Sequence, residues 1–452
     1  MFKHFLLPIF LDCMKMPQSH QFSRRDLLVS GLASGAYLSS GCGKPEPEKP
    51  VIAADPNRSP VPLRVLYVGD SNDSQVILRG WSSISEHPLD IESVSCDRHR
   101  VEELSKRLVA ICPLVDVAIV PINSLPLLQQ SELIVPLGES VLRDHAESMG
   151  NLYPSVRNAA ALYAGEALCT PLGAIQQCLV SSEPIEPPGS WAAYDDLILS
   201  WEGKAAEPTA EGWLAASFLN RCLGEQRWLL GSDDLQPLLS GQSYIDALEM
   251  MVQTCSMYPE LGQTPQAIWE AITKGELVGG IAFPFHQSPS DAILTINRLP
   301  NRSDGNRVLL DTFSPTAALS SACRQTAIAM QFMAWLSGGE GSETVRSEVA
   351  GMGNVRMPSA NARQLGSPDS RSGYSQFLSD FLSNPVTTPT LKLLQGERYY
   401  AVLDRHVGLA VRGELSCEEA LKVTCQSWEE ITEQVGREDQ IRTWKRANGL
   451  RG

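Results

Sequence analysis

From Leu63 onward the sequence switches between two hydrophobic periods, and that alternation limits the possible folds more than any other feature of the chain. Leu63 to Val68 is a short β-rich run. Polar Gly69-Asp70-Ser71-Asn72-Asp73-Ser74 follows, then Gln75 to Trp81, whose Val76, Ile77, Leu78 and Trp81 suit a helix entered from a serine cap. Leu89 to Val94 reads as a second strand, and Val101, Leu104, Leu108 and Ile111 recur at helical spacing. Asp116 to Pro121 is a third strand, after which Asn123-Ser124 can cap a helix running to about Gln130. Helices spaced between strands in this way imply an α/β fold with a parallel sheet covered on both faces. Ligands of such sheets lie beyond the carboxyl ends of the strands, so Asp70, Ser71 and Asn123 are the first candidates for ligand contacts.

With 452 residues, 43% hydrophobic and 20% charged, the chain has material for one large or two ordinary domains. A formal charge of −15 argues against nucleic acid as a partner, because phosphate contacts need clustered cations. No apolar stretch approaches the roughly 18 to 20 residues that span a bilayer, so any membrane link must come from the N-terminus. There, Ser23-Arg24-Arg25-Asp26 precedes Leu27 to Leu38, an apolar run rich in Gly, Ala and Ser with the length of a signal-peptide core. Arg24 and Arg25 resemble a twin-arginine export signal. Ser39-Ser40-Gly41-Cys42-Gly43 resembles the cleavage site of a bacterial lipoprotein, with Ser39 where that pattern carries an aliphatic residue. The expectation is an exported, periplasmic or extracytoplasmic protein held to the membrane by a lipid on Cys42. Residues 1–41 are then the export signal. Residues 42–62, with Lys44-Pro45-Glu46-Pro47-Glu48-Lys49-Pro50, form a tether too poor in apolar residues to order itself.

Of the 11 cysteines, an odd number remains once Cys13 and Cys42 are set aside, and none shows CxxC spacing. Cys112, Cys169, Cys178 and Cys323 sit among small or apolar residues and read as buried free thiols, with at most a pair or two bridged. The seven histidines are scattered and none has zinc spacing with cysteine, so neither a metal nor a cofactor is expected.

Asp116-Val117-Ala118-Ile119-Val120-Pro121, then Leu125-Pro126-Leu127-Leu128 and Leu133-Ile134-Val135-Pro136-Leu137, resemble the first lobe of family 1 extracellular solute-binding proteins of ABC importers, the maltose-binding-protein-like group. Later features fall in that family's order. Gly165 to Gly173 resembles its crossover strand, Pro188-Gly189-Ser190-Trp191 the opening of its second lobe, and Ile268 to Phe285 a helix-and-strand pair. Thr326 to Leu336 resembles the helix after the return crossover, and Tyr399 to Leu403 with Gly413 to Leu421 its closing helices. The resemblance implies a two-lobed, type II periplasmic-binding-protein fold, with residues 63–165 plus 291–345 as the first lobe and 166–290 plus 346–452 as the second. It also implies a monomer that closes on a small-molecule ligand, a carbohydrate above all, and delivers it to an ABC permease. Closure of this kind needs no catalytic group, only contacts that are better in the closed state. Leu179-Val180-Ser181-Ser182 stands where the family carries a tyrosine-asparagine pair.

A pyranose offers an apolar C–H face to aromatic rings and hydroxyls to short polar side chains. Trp213 at a loop-to-helix start, Phe285 at a strand end and Tyr399 near the closing helices are therefore candidate stacking residues. Trp81, Trp191 and Trp335, at helical spacing, read as packing residues. Gly69-Asp70-Ser71 also resembles the nucleophile block of GDSL-type ester hydrolases, but no histidine has an aspartate three residues before it, and Asp404-Arg405-His406 misses by one. A non-enzymatic binding protein is the expectation, with a sensor lacking a permease as the variant reading.

Overall fold

The computed structural model describes residues 61–449 apart from 97, 100, 139–140, 142, 144–148, 223–227, 285–293, 301–307, 350, 354, 358–370, 385–386 and 388–390. Arg24, Arg25, Cys42 and Phe285 lie outside the described residues.

The first half begins with β1 (Leu63–Val68), α1 (Ser71–Ile84), β2 (Leu89–Val94), α2 (Val101–Ile111), β3 (Val117–Pro121), α3 (Leu125–Gln130) and β4 (Ile134–Val135). Short strands β5 (Leu162–Tyr163), β6 (Glu166–Ala167) and β7 (Thr170–Pro171) lead into β8 (Cys178–Ser181). Then come α4 (Trp191–Ser200), β9 (Ala205–Ala206), α5 (Leu214–Cys222), α6 (Gln242–Cys255), α7 (Pro265–Thr273), β10 (Gly279–Ala282) and β11 (Thr295–Asn297). The chain returns through β12 (Pro315–Ser320) and finishes in helices α8 (Thr326–Leu336), α9 (Glu343–Glu348), α10 (Arg371–Leu382), α11 (Gly396–Val411), α12 (Cys417–Val435) and α13 (Arg437–Ala447).

Two sheets organise these elements. In the first, the order is β2-β1-β3-β12-β4, with β7 also paired to β12. Strands β1, β2 and β3 run parallel, and β12 runs antiparallel to β3. The second sheet has the order β11-β8-β10-β9. The sheets are thus mixed rather than purely parallel, because β12 enters the first from the far side of the chain. Strand pairing puts Thr170–Pro171 in the first sheet and Thr295–Asn297 in the second, on the opposite sides of the expected lobe boundaries.

Period two explains why both faces of the first sheet are dry. Leu63, Val65 and Tyr67 of β1 and Val117 and Ile119 of β3 share one cluster with Ile77 and Trp81 of α1 and Phe332 and Trp335 of α8. Their alternates Leu66, Val68, Ala118 and Val120 share the other cluster with Leu104 and Leu108 of α2 and Cys112. A larger core joins β8 and β10 to α4, α5, α6 and the closing helices, including Tyr399, Leu403 and Val407 of α11 and Trp428 of α12. Helix α1 begins at Ser71, earlier than its apolar pattern alone indicates. Its cap is Asp70 rather than a serine, the carboxylate accepting the Asn72 N–H at 2.7 Å.

The nine cysteines among the described residues are all free. Cys112, Cys169 and Cys178 are buried and Cys323 is half-buried; burial pushes the Cys112 and Cys169 thiols up to about 12. Among the described residues no group of three or more His, Cys, Asp or Glu is placed to hold a metal, and no helix is long and apolar enough to cross a membrane.

Candidate functional site

The carboxyl ends of β1 and β3 and the amino end of β12 meet along one edge of the first sheet, because β12 is antiparallel to β3. The Asn123 N–H, just past β3, donates to the Thr312 carbonyl at 3.1 Å, just ahead of β12. Asn123 is 1% exposed, and among the described residues neither atom of its side-chain amide has a hydrogen-bond partner; the Thr312 hydroxyl is in the same position. The Ser314 hydroxyl accepts the Ile175 N–H at 3.0 Å and so fastens this edge to the segment leading into β8.

That segment brings two more buried amides. Gln176 donates to the Gln177 carbonyl at 3.1 Å and leaves its Oε1 without a partner. The Gln177 Oε1 accepts from Asn220 Nδ2 of α5 at 2.9 Å, while its own Nε2 has none. Gln176, Gln177, Asn220, Asp311, Thr312 and Tyr400 line a partly open cavity of about 40 Å³, whose remaining walls are mostly leucine and isoleucine. A buried polar atom left without a hydrogen bond costs about 1–3 kcal/mol, and buried polar groups in folded proteins are as a rule paired. Several neutral groups in this state beside one cavity are suited to the hydroxyls of a small solute.

Beside the cavity a second group of side chains converges on Arg98, from the loop between β2 and α2. Its Nη1 donates to Asp311 Oδ2 at 2.9 Å and to the Tyr400 hydroxyl at 3.5 Å. The guanidinium carbon lies 3.6 Å from the centre of the Trp213 ring and 4.5 Å from that of Phe313. Burial of Arg98 pushes its pKa down, but Asp311 and Tyr400 push it up and prevail, so the guanidinium stays charged. Trp213 stands just before α5, whose first turn is capped from α11. The Asp404 carboxylate accepts the N–H groups of Gly212 at 2.6 Å and Ala215 at 2.9 Å, while the Tyr400 hydroxyl donates to the Gly212 carbonyl at 3.1 Å. Gly212 needs to be glycine twice over: its φ is +87°, and a Cβ there would stand 2.7 Å from the Arg98 Cβ.

The six residues expected to contact ligand thus separate. Asn123 sits at the edge of the first sheet, its N–H on the carbonyl of Thr312, which itself lines the cavity, and Trp213 is 7% exposed with its ring covered by Arg98. Asp70 and Ser71 are exposed at the start of α1, Asp70 as its cap. Tyr399 faces the helical core instead of the cavity. It is fully buried, its hydroxyl bonds Thr432 at 2.9 Å and accepts from Gln440 at 3.1 Å, and its ring meets Trp428 edge-on at 5.7 Å. Its neighbour Tyr400, about 100° further round the helix, is the one that lines the cavity. Phe285 is beyond the described residues, and Phe283, fully buried, lies 5.9 Å from Trp213. The sequence reading missed Arg98, Gln176, Gln177, Asn220, Asp311 and Thr312. The adjacent amides Gln176-Gln177, set in an otherwise apolar and small-residue run, were the visible signal.

No protein-family model matches the chain, and no curated protein matches it. Solved structures do. The sugar-binding protein MalE from Xanthomonas citri shares 14% identity at a TM-score of 0.62, over 83% of this chain and 98% of that one. An ABC transporter solute-binding protein from Agrobacterium vitis S4, with bound D-mannitol, shares 14% identity at 0.60, over 83% and 99%. Maltose-bound MalE3 of T. maritima shares 13% at 0.64, over 82% and 99%. At these identities the likeness is one of fold alone: the described chain has an α/β architecture like theirs, with mixed sheets flanked by helices.

Proposed function

We propose that this protein is an extracytoplasmic solute-binding protein that takes a small polyhydroxylated solute, a carbohydrate or polyol, between two lobes and passes it to an ABC permease. The export motif at Arg24-Arg25 and the lipid site at Cys42 fit a monomer tethered outside the cytoplasm. One observation carries the reading. Among the described residues, Thr312, Gln176 and Gln177 bring neutral, buried hydrogen-bonding atoms without partners to one cavity, and Asn123 brings two more to the adjoining edge of the first sheet. A solute that supplied those partners would favour the state in which both sheets contribute to its site, which is the physical requirement for closure on a ligand. The fold's relatives include proteins solved with D-mannitol and with maltose.

The test is a thermal-shift screen of residues 61–452 against monosaccharides, maltodextrins, polyols and amino sugars. A ligand that binds the native state alone adds about 2.7 kcal/mol at a hundredfold excess over its dissociation constant. The reading expects at least one polyhydroxylated compound to raise the melting temperature of the wild type. A panel without a single such shift would remove it.

A further inference from the structure

The Arg98 cluster joins the cavity through two shared residues, Asp311 and Tyr400, which both line the cavity and hold the guanidinium. Its remaining walls are aromatic: Trp213 and Phe313 lie under the guanidinium, and Tyr400 meets Phe313 edge-on at 5.1 Å. Aromatic faces, a carboxylate and a phenol hydroxyl are what a receptor for an organic cation is made of. In this structure the cation is one of the protein's own, carried in on the loop between β2 and α2.

The Asp311 side chain is 11% exposed, with Oδ2 on Arg98 and Oδ1 on the Phe313 N–H. A neutral molecule that displaced Arg98 would leave this carboxylate buried and without its counter-charge, which is strongly unfavourable. A cationic one would leave the charge balance as it stands. Asp404, another acid near Arg98, is engaged at both oxygens by backbone N–H groups.

Resting on the solute-binding reading above, we infer that the cage of Trp213, Phe313, Tyr400 and Asp311 is a subsite for an organic cation, that Arg98 is its tethered occupant, and that the solute carries an ammonium or guanidinium group beside its hydroxyls. Arg98 then also sets specificity. An incoming cation must compete with it for the Trp213 face, so weak cationic solutes are excluded and the apparent affinity of the right one is lowered by the fraction of time the cage is self-filled.

The experiment is chemical rescue of Arg98→Ala. Ethylguanidinium, agmatine and choline are titrated into wild type, Arg98→Ala and Arg98→Ala/Trp213→Leu, with sodium chloride of equal ionic strength and D-mannitol as controls. Melting temperature and tryptophan fluorescence are read. The inference expects Arg98→Ala to bind ethylguanidinium roughly tenfold or more tightly than wild type does, with recovery of lost stability, and expects the double variant to lose that response. Should Arg98→Ala be insoluble alone, its recovery when refolded with ethylguanidinium is the readout, and failure to recover counts against the cage. The inference is overturned if no cation stabilises Arg98→Ala beyond the salt control, or if Arg98→Ala/Trp213→Leu responds equally. Neutral polyols that bind Arg98→Ala while cations do not would overturn the cation subsite and leave solute binding standing. Binding of neither would count against both.

Discussion

The molecule holds two aromatic clusters built from similar parts to different ends. In the first core, Trp81 meets Phe332 edge-on at 5.2 Å and Trp335 at 5.4 Å, with the Trp81 indole N–H donating to the His87 carbonyl at 2.9 Å. In the second cluster, Trp213, Phe313 and Tyr400 surround a charged guanidinium and its carboxylate, beside a cavity whose Gln176 and Gln177 amides each leave one atom without a partner among the described residues. The first cluster obtains its stability from apolar area removed from water, and its residues reach one another along the period-two and helical patterns of adjacent elements. The second carries buried polar groups, some of them paired and some with atoms left without a partner among the described residues. Among the described residues the Trp335 indole N–H also lacks a partner, so what sets the second region apart is that its partnerless groups are several and line a cavity.

The largest effect that tests this contrast is Trp335→Ala, expected to cost about 3–5 kcal/mol by urea denaturation while leaving the affinity of the folded fraction unchanged. A loss below about 1 kcal/mol would mean that the first cluster is not the packed region described. Next is Glu397, at the start of α11, buried at 2% exposure with one oxygen on the Ser105 hydroxyl and the other without a partner among the described residues. Burial raises its pKa from the usual carboxylate range to about 7, against opposing contributions from its own backbone N–H and Arg398. The native state therefore holds this proton where the unfolded chain has lost it, and the contribution to stability is fully present below the ordinary carboxylate pKa. It falls as pH rises from about 4.5 to about 7, with a ceiling of about 3 kcal/mol. Glu397→Gln should flatten that stretch of the stability–pH profile; a profile identical to wild type would contradict the assignment.

Asn123→Leu sharpens the comparison from the other side. Removing a buried amide that has no protein partner should change stability by no more than about 1 kcal/mol, and in the stabilising direction if the leucine fits, while abolishing solute binding. A loss as large as that of Trp335→Ala would place Asn123 in the packing instead. Smallest is Asp70→Ala. Losing the α1 cap should cost about 1 kcal/mol and weaken solute binding less than Asn123→Leu does, with Ser71→Ala within about 0.5 kcal/mol of wild type.

Much of the first sheet was legible because each element carries its own period. β1, β2, α2 and β3 fall where their apolar spacing puts them, and Trp81 and Trp335 are buried as their helical positions imply. The site was less legible, for reasons that differ by residue. Arg98 finds Asp311 across 213 positions, and no local pattern encodes such a pair. Tyr399 and Tyr400 are identical in type and adjacent, so which of them meets the cavity depends on the phase in which α11 packs between α12 and α5, which tertiary contacts decide. The strands β7 and β11 are too short to show alternation. Trp213 does stand at a helix start and Asn123 just past a strand, as the chain's connectivity indicates.

The central claim is that partnerless neutral groups between the sheets hold the solute, and Thr312→Val tests it with the least disturbance, since it removes a hydroxyl and keeps the shape. Isothermal titration of wild type and Thr312→Val with the strongest binder from the thermal-shift panel should show affinity falling about tenfold or more in the variant, the cost of one buried hydrogen bond, with the ligand-free melting temperature unchanged or raised. Equal affinity in the two proteins, or a fall in ligand-free stability comparable with that of Trp335→Ala, would contradict it.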